Sequence, residues 1–335
     1  DDSFGDAAVN VREKGYVDEY NISFGGNLMN TLYWGLSFGI TDMSFTRDTY
    51  YSESIGNAFV VDPNDEFSDI RGGAYNGLHN YYNVTGSGFN CKFGLIYKPI
   101  NELRLGLAVH TPTYYSLSYT VNAGADYAYW QGDDELPYKT NLNGYGITPD
   151  QNDYLETGFG YYDRKMRTPW RMIASAAGVI GGRGILSVDY EYEAYQNMRV
   201  SDNYGEFDDV TEDVKNYYRS TNTIRVGAEF RVTPQLSLRA GYSYKSSPAQ
   251  KTAYDNEQYI YTAGTNPMYT FDNSIQYVTC GLGYSTGGFS IDAAYVHKHR
   301  ESAWSAFTNF DDWAVPSGKI TDNNNQIVLT LGYKF

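Results

Sequence analysis

Apolar and polar residues alternate along the last part of the chain. Apolar side chains occupy every second position at Ile327, Leu329, Leu331 and Tyr333, and Gln326, Thr330, Gly332 and Lys334 fill most of the positions between them. Successive side chains of a strand point to opposite faces. The pattern predicts a strand with an apolar face towards lipid and a small or polar face towards a lumen, as in transmembrane β-barrels.

The same two-faced pattern recurs at 103–110, 223–230 and 236–245, with the charged residues on the polar face. It predicts eleven strands, near 17–28, 31–55, 84–98, 103–125, 157–180, 184–200, 214–232, 236–247, 268–285, 288–304 and 319–335. Several exceed the roughly ten residues that cross a bilayer, so we expect them to project beyond it.

Connections between these strands alternate in length. Short ones fall at 29–30, 99–102, 181–182, 233–235 and 286–287, and long ones at 56–83, 126–156, 201–213, 248–267 and 305–318. In outer-membrane barrels short turns are periplasmic and long loops are extracellular. This asymmetry predicts a multi-pass protein of a bacterial outer membrane whose last strand descends to the periplasm.

Composition agrees with an all-β membrane protein. The 335 residues include 35 Tyr and 34 Gly; glycine disfavours helix interiors, whereas tyrosine favours strands and membrane interfaces. The longest nearly apolar run, 172–182, is far below the roughly 18 residues of a spanning helix. Mean hydropathy is −0.52, which a barrel tolerates because only alternate residues face lipid.

The formal net charge of −15 comes without a run of Lys and Arg along the sequence, so we predict no nucleic-acid partner. Acidic runs at 62–66, 133–135, 208–213 and 311–312 are interpreted as solvated loops, since none has the spacing of a calcium loop. Cys91 and Cys280 fall on the apolar faces of separate strands, and we expect them to stay unpaired.

The strand count suggests that part of the barrel lies outside this sequence. By the alternation of turns, the first predicted strand descends, which makes 1–16 an extracellular loop segment and 17–335 the barrel domain. Bacterial single-chain barrels have an even number of strands. We therefore expect an odd number of further strands upstream, in the same chain or as a separate chain.

Several segments resemble the FadL/TodX family of outer-membrane transporters for long-chain fatty acids and hydrocarbons. They are 86–99 (GSGFNCKFGLIYKP) with 103–112 (LRLGLAVHTP), 168–171 (TPWR) with 186–192 (LSVDYEY), 238–248 (LRAGYSYKSSP) and 289–295 (FSIDAAY). The resemblance implies fourteen strands, so about three would be missing, together with an N-terminal hatch that plugs the lumen and a kinked strand that opens a lateral exit.

The resemblance also implies function: transport of a hydrophobic, fatty acid-like molecule, with lateral diffusion into the outer-membrane lipids and no cofactor. Candidate ligand-binding residues are apolar or aromatic and sit high in the long strands, namely Phe45, Tyr114, Tyr115, Leu117, Met166, Trp170, Tyr195 and Met198. Tyr and Trp are equally expected in the outer aromatic girdle. The alternative function is a plugged barrel that serves as a docking component of a surface secretion or assembly machine.

No arrangement of residues indicates an enzyme. Charges predicted on inner faces are interpreted as a structural network of opposite charges; they are Arg104, Asp189, Glu191, Arg225, Glu229, Arg231, Arg239, Lys245 and Asp292. His297 and His299 share a face, but no third ligand with recognisable spacing suggests a metal site. We therefore predict no catalytic residue and no metal.

Overall fold

In the computed structural model the chain forms one antiparallel sheet. The structure describes residues 4–59, 71–131, 140–142, 159–254, 260, 268–308 and 316–334. The strands are β1 (Phe4–Leu28), β2 (Leu32–Phe59), β3 (Arg71–Ile100), β4 (Leu103–His110), β5 (Tyr114–Gln131), β6 (Thr140–Leu142), β7 (Phe159–Arg167), β8 (Arg171–Ile180), β9 (Gly184–Ala194), β10 (Arg199–Ser201), β11 (Ser220–Arg231), β12 (Leu236–Lys245), β13 (Tyr269–Thr286), β14 (Phe289–Ser305) and β15 (Ser317–Tyr333).

These strands make up the eleven predicted passes within the described residues. β4 and β5 are two halves of one pass, since both pair with β3. β7 and β8 are likewise halves of one pass, which pairs with β5 and β4 respectively. β9 and β10 belong to a third interrupted pass, and β6 is a short addition to the edge of β5. The prediction of an all-β antiparallel fold of the transmembrane-barrel type is confirmed.

Several predicted boundaries were wrong. β1 starts at Phe4 rather than near Val17 and pairs with β2 along its whole length, so residues 4–16 form strand, not a loop segment. β3 starts at Arg71, well before the predicted residue 84. Residues 4–16 and 71–83 are mostly polar, and alternation of apolar residues therefore gave no signal there. The acidic runs at 62–66, 133–135 and 311–312 lie outside the described residues.

Two helices were not predicted, α1 (Asp208–Tyr217) and α2 (Lys251–Tyr254). The predicted strand at 214–232 was wrong over 214–217, which belong to α1. Asp208 and Asp209 lie in the first turn of α1 and Lys215 in its last, which suits the helix dipole. Neither helix has the length and apolar character needed to cross a membrane.

A small apolar cluster holds these helices to the sheet at the end that carries the long connections, called here the long-loop end. The members are Ala249, Ala253, Ile260, Tyr269 and Phe271, with Tyr217 and Tyr218 packed against them. The rings of Tyr218 and Phe271 meet edge to face with centroids 6.3 Å apart. The cluster therefore orders part of the long connections above the sheet.

The opposite, short-turn end is closed by tight hairpins. Met29 and Asn30 have φ of 53° and 54°, and Gly181 and Gly182 have φ of 59° and 67°. Two consecutive positive φ values characterise the type I′ turn, whose twist matches that of the flanking strands. These short turns therefore fix the register of the two strands that each of them joins.

An apolar belt covers the outer face of the sheet near the short-turn end. Its residues include Leu105, Leu107, Val226, Phe230, Leu282, Leu329 and Leu331, all exposed. At the upper limit of the belt, tyrosine hydroxyls donate to outward amides on the next strand: Tyr190 to Asn222 at 2.5 Å, Tyr242 to Gln276 at 3.2 Å and Tyr295 to Asn325 at 2.7 Å. An apolar band bordered by aromatic residues is the outer surface of a membrane barrel.

The two edges of the sheet run in the same direction. Within the described residues β1 pairs only with β2, and β15 only with β14. Since every pairing between passes is antiparallel, the first and eleventh passes are parallel to each other. Joining these edges by antiparallel pairing requires an odd number of further strands, and the expected three strands with a lumen plug stay a prediction. The sheet is curved enough that Val9 of β1 and Ile320 of β15 line one cavity.

We predict that the belt positions reject charge. Arginine at Leu105, Val226 or Leu331 should destabilise the barrel folded in lipid vesicles by roughly 2–4 kcal/mol near the bilayer midplane. Arginine at Thr330, which points to the other face beside Leu331, should cost far less. Urea titration of the folded fraction measures both effects. An equal loss of stability in Leu331→Arg and Thr330→Arg would refute the assignment of Leu331 to the lipid-facing side of the sheet.

Candidate functional site

Two adjacent passes are interrupted at the same height. Residues 111–113 separate β4 from β5, and residues 168–170 separate β8 from β7, each triplet containing a proline, Pro112 or Pro169. Proline has no N–H to give to the ladder. Threonine hydroxyls accept from backbone groups instead: the Cys91 N–H donates to Thr111 Oγ1 at 2.9 Å, and the Thr113 N–H to Thr168 Oγ1 at 2.8 Å.

A third pass is interrupted beside them. β9 ends at Ala194, a single turn of 3₁₀ helix covers Tyr195–Asn197, and β10 then pairs with β7 rather than with β11. We call residues 111–113, 168–170 and 194–198 the bulge seam. The seam crosses three neighbouring passes at the upper limit of the apolar belt.

The seam changes which residues face inwards. In β4 the inward positions are even and include Ala108 and His110, whereas in β5 they are odd and include Tyr115 and Leu117, as the pairing with β3 shows. The extra residue of a β-bulge shifts the alternation in this way. Without the shift, side chains above the seam would point to the wrong face.

A cavity of about 400 Å³ lies on the inner face at the seam. Its apolar lining includes Val17, Tyr115, Pro169 and Met198, and its polar lining includes Glu19, Lys92, His110, Arg171 and Glu193. The seam thus forms one wall of a cavity that has an apolar part and a charged part.

Ion pairs organise the charged part of this cavity. Glu193 accepts from Arg171 at 2.8 Å and from Lys245 at 2.7 Å, and Glu191 accepts from Arg225 at 2.8 Å. Lys245 also donates to the Tyr195 hydroxyl at 3.0 Å. Glu191 and Glu193 are buried, so each carboxylate depends on these cations for compensation of its lost hydration.

A second pair closes the other side of the cavity. Glu19 of β1 accepts from Lys92 of β3 at 2.6 Å and from the Asn90 amide at 2.8 Å. Because β2 lies between β1 and β3, these bonds tie together strands that are not neighbours in the sheet. Charge at the cavity is therefore mostly neutralised inside the protein.

Above the cavity, towards the long-loop end, the inner face is mainly apolar and aromatic, with the charged Arg164 paired with Leu117. Residues paired across four strands form this apolar lumen stripe: Phe45, Val84, Tyr119 and Tyr162 in one row, with Leu117 and Met166 below them. Val84 and Leu117 are 4% and 2% exposed. The Tyr119 and Tyr162 rings stack with centroids 5.1 Å apart, and Tyr82 lies 5.7 Å from Tyr119.

Six of the eight predicted ligand-binding residues lie on the inner side of the sheet. Phe45, Leu117 and Met166 belong to the apolar lumen stripe, and Tyr115, Tyr195 and Met198 line the cavity. Their role in ligand binding stays a prediction.

Tyr114 and Trp170 are placed differently. Both are strongly exposed, and Tyr114 pairs with Phe89 on the outer face. Their position is that of the aromatic girdle, because the seam turns residues 114 and 170 outwards. We therefore leave these two residues out of the candidate site.

Sequence reasoning missed Val84, Tyr119 and Tyr162, and also the pair of Glu19 with Lys92. The available signal was the Thr-Pro pair at 111–112 and again at 168–169, because a proline inside a strand marks a bulge. If the alternation of inward and outward positions is assumed to shift at Pro112, Tyr119 is predicted to face inwards. Nothing in the sequence brings Glu19 next to Lys92.

Six of the nine charged residues predicted on inner faces form ion pairs, and the described residues give Arg104, Asp189 and Arg231 none. Arg239 bridges Glu229 at 2.8 Å and Asp292, alongside the pairs of Arg225 and Lys245 described above. His297 and His299 face outwards, and each ring contacts an asparagine oxygen at 2.8 Å, Asn325 and Asn323 respectively. The described residues contain no group of three His, Cys, Asp or Glu side chains that could hold a metal. Both Cys91 and Cys280 are free.

No family model matches this chain, and no curated protein matches it. Solved structures with a similar fold include a FadL homologue from Pseudomonas aeruginosa, 15% identical over 93% of this chain and 77% of that one, with a TM-score of 0.47. The toluene transporter TodX of P. putida is 12% identical over 99% and 90%, with a TM-score of 0.42. The toluene transporter TbuX of Ralstonia pickettii is 12% identical over 99% and 89%, with a TM-score of 0.40.

These are FadL/TodX-type proteins. They are of the type that the segments quoted from the sequence resemble. The TM-scores lie below 0.5, and the likeness therefore concerns the fold alone.

We predict that Glu193→Ala destabilises the barrel because Arg171 and Lys245 lose their shared carboxylate. The loss should be about 2 kcal/mol, less than the roughly 3–5 kcal/mol of a fully buried pair, since Arg171 is 43% exposed. Asp189→Ala is the matched control: Asp189 shares the strand and face, and the described residues give it no ion pair. Urea unfolding followed by gel mobility measures the stability of both variants. Equal unfolding midpoints for Glu193→Ala and Asp189→Ala would contradict a stabilising role of the Glu193 ion pairs.

Proposed function

We propose that this protein takes up a hydrophobic small molecule across a bacterial outer membrane. The supporting observation is the apolar lumen stripe. Inward positions of an open porin are polar because they face water, whereas here Phe45, Val84 and Tyr119 occupy paired inward positions. Leu117 and Met166 lie below them, and the charged residue among these, Arg164, pairs with Leu117 and lies over the Tyr162 ring at 4.5 Å.

The driving force is burial of apolar ligand surface. Each Å² removed from water contributes about 25 cal/mol, so an acyl chain or an aromatic ring needs little polar recognition. The cavity of about 400 Å³ falls in the usual range of small-molecule sites, roughly 300–1,000 Å³. A ligand descends along the stripe and reaches the cavity, where Tyr115 and Met198 continue the apolar surface.

The charged part of the cavity sets the orientation of a fatty acid-like ligand. Lys92 and Arg171 lie at the cavity beside Glu19 and Glu193, so a carboxylate end has donors within the same space. The acyl chain then stays on the apolar side. No cofactor is needed, because the process is binding and diffusion.

The bulge seam is the proposed lateral exit. On the lipid side Tyr114 and Trp170 flank it, and on the lumen side Tyr115 and Pro169 do. Backbone donors at the seam bond to threonine hydroxyls, which rotate more freely than a carbonyl held in a ladder. Opening there costs fewer ladder bonds than elsewhere in the wall.

We predict that Leu117→Asp abolishes most ligand uptake because it puts a carboxylate in the middle of the apolar lumen stripe. Thr120→Asp, on the outer face of the same strand, should leave uptake unchanged. Uptake of a fluorescent long-chain fatty acid by cells with equal amounts of folded protein measures the effect, with a loss of about tenfold expected for Leu117→Asp.

Equal uptake by Leu117→Asp and wild type would exclude the stripe as the route. No uptake by wild type, in cells or in vesicles, would instead favour the alternative role as a docking component of a surface machine.

We also predict that a covalent link across the seam slows release. Thr113→Cys with Thr168→Cys places two thiols on the cavity side of the seam, where both residues line the cavity and the Thr168 N–H donates to the Thr113 carbonyl at 3.1 Å. Oxidation should reduce uptake severalfold, and a reductant should restore it. The control is Thr113→Cys combined with Thr168→Ser, which cannot form the link. Full uptake by the oxidised protein would exclude this exit.

A further inference from the structure

Three basic side chains lie together on the outer face, just above the apolar belt. Arg167 of β7 pairs directly with Arg199 of β10, and Lys165 pairs with Ser201 two residues away along each strand, on the same face. Arg167 also pairs with Tyr114, which is strongly exposed on the outer face. We call Lys165, Arg167 and Arg199 the outer basic cluster.

This arrangement is unfavourable for the protein alone. Like charges directly opposite each other in a ladder repel, and the described residues provide no ion pair within 4 Å for any of the three cations. Arg199 donates to backbone carbonyls, at 2.7 Å to Met198 and 3.4 Å to Gln196. The nearby Asp163 accepts from Ser118 at 2.6 Å, and Glu206 lines the same depression without an ion pair to the cluster.

The cluster surrounds a recess suited to an anion. A depression of about 330 Å³ is lined by Lys165, Arg167 and Arg199 together with hydroxyl groups of Ser116 and Ser201 and the ring of Tyr114. Guanidinium groups bind phosphate oxygens in bidentate fashion, and serine hydroxyls add further donors. The net charge of the chain is −15, so this patch is not part of a generally basic surface.

Height above the belt identifies the source of the anion. Trp170, in the aromatic girdle, precedes β8 and is three residues from Arg167. Arg167 also pairs directly with Tyr114 of the girdle, so the cluster lies at the level of the aromatic girdle, where lipid headgroups are found. Exposed Tyr114 and Trp170 provide apolar surface for the same lipid at this level.

We propose that the outer basic cluster binds the phosphate of a phosphorylated glycolipid in the outer leaflet. The phosphate takes the place of the missing counter-charge between Arg167 and Arg199, and Lys165 contacts it from the side. This inference uses the membrane placement in the proposed function but does not depend on transport.

The test uses bisphosphorylated lipid A as the probe, at a few mole per cent in phosphatidylcholine nanodiscs that hold the folded protein. Arg167→Gln with Arg199→Gln should weaken retention of lipid A about tenfold or more, and removal of its phosphates should weaken binding to wild type equally. The matched control is Arg12→Gln with Lys14→Gln, which removes the same charge from exposed positions of β1 and should retain wild-type binding.

Gel mobility verifies folding of every variant, and fatty acid uptake should persist in Arg167→Gln with Arg199→Gln. Equal lipid A retention by the two double variants would overturn the proposal. Retention of dephosphorylated lipid A at the wild-type level would overturn it as well. Because uptake is measured separately, failure of the transport hypothesis would leave the lipid result interpretable.

Discussion

The ladder of cross-strand hydrogen bonds is the constraint on which the rest of the structure depends. In lipid every backbone N–H and C=O must find a partner inside the protein, so a strand cannot leave the ladder without compensation. Register then decides which side chains meet lipid and which meet the lumen. The apolar belt, the ion pairs and the apolar lumen stripe all follow from one pairing scheme.

At the bulge seam the ladder is broken in three neighbouring passes. Threonine hydroxyls from Thr111 and Thr168 replace carbonyl acceptors there, and the alternation shifts by one. The same shift turns Tyr114 and Trp170 towards the membrane interface and Tyr115 and Leu117 towards the lumen. A single local irregularity therefore separates the charged cavity below from the apolar stripe above, and it also brings Arg167 and Arg199 together on the outer face.

Sequence patterns predicted the regular parts of this fold well. Alternation identified all eleven passes, because half-buried strands in lipid must be apolar on one face, as Leu105 and Leu331 are. It missed the start of β1 at Phe4 and the helix α1, whose residues face water and carry no such alternation. It also could not separate Tyr114 from Tyr115, since both are tyrosines and only the bulge at Pro112 assigns their faces.

The candidate site was predicted only in part for a related reason. Strand periodicity places a residue on a face but does not say which distant strand completes the cavity. The Glu19–Lys92 pair joins β1 and β3 across β2, and the Glu193–Lys245 pair joins β9 and β12 across β11. Such contacts depend on sheet curvature, which is a property of the whole sheet and not of any one segment.

The central claim is that a hydrophobic ligand occupies the apolar lumen stripe. A fatty acid carrying a diazirine at its acyl end, photolysed with the protein in vesicles, tests this directly when the labelled positions are mapped by peptide mass spectrometry. The account predicts labelling at Leu117, Tyr119 and Met166 that excess fatty acid abolishes, and labelling at lipid-facing Leu105 and Leu107 that it does not. Labelling confined to the lipid-facing residues would contradict it.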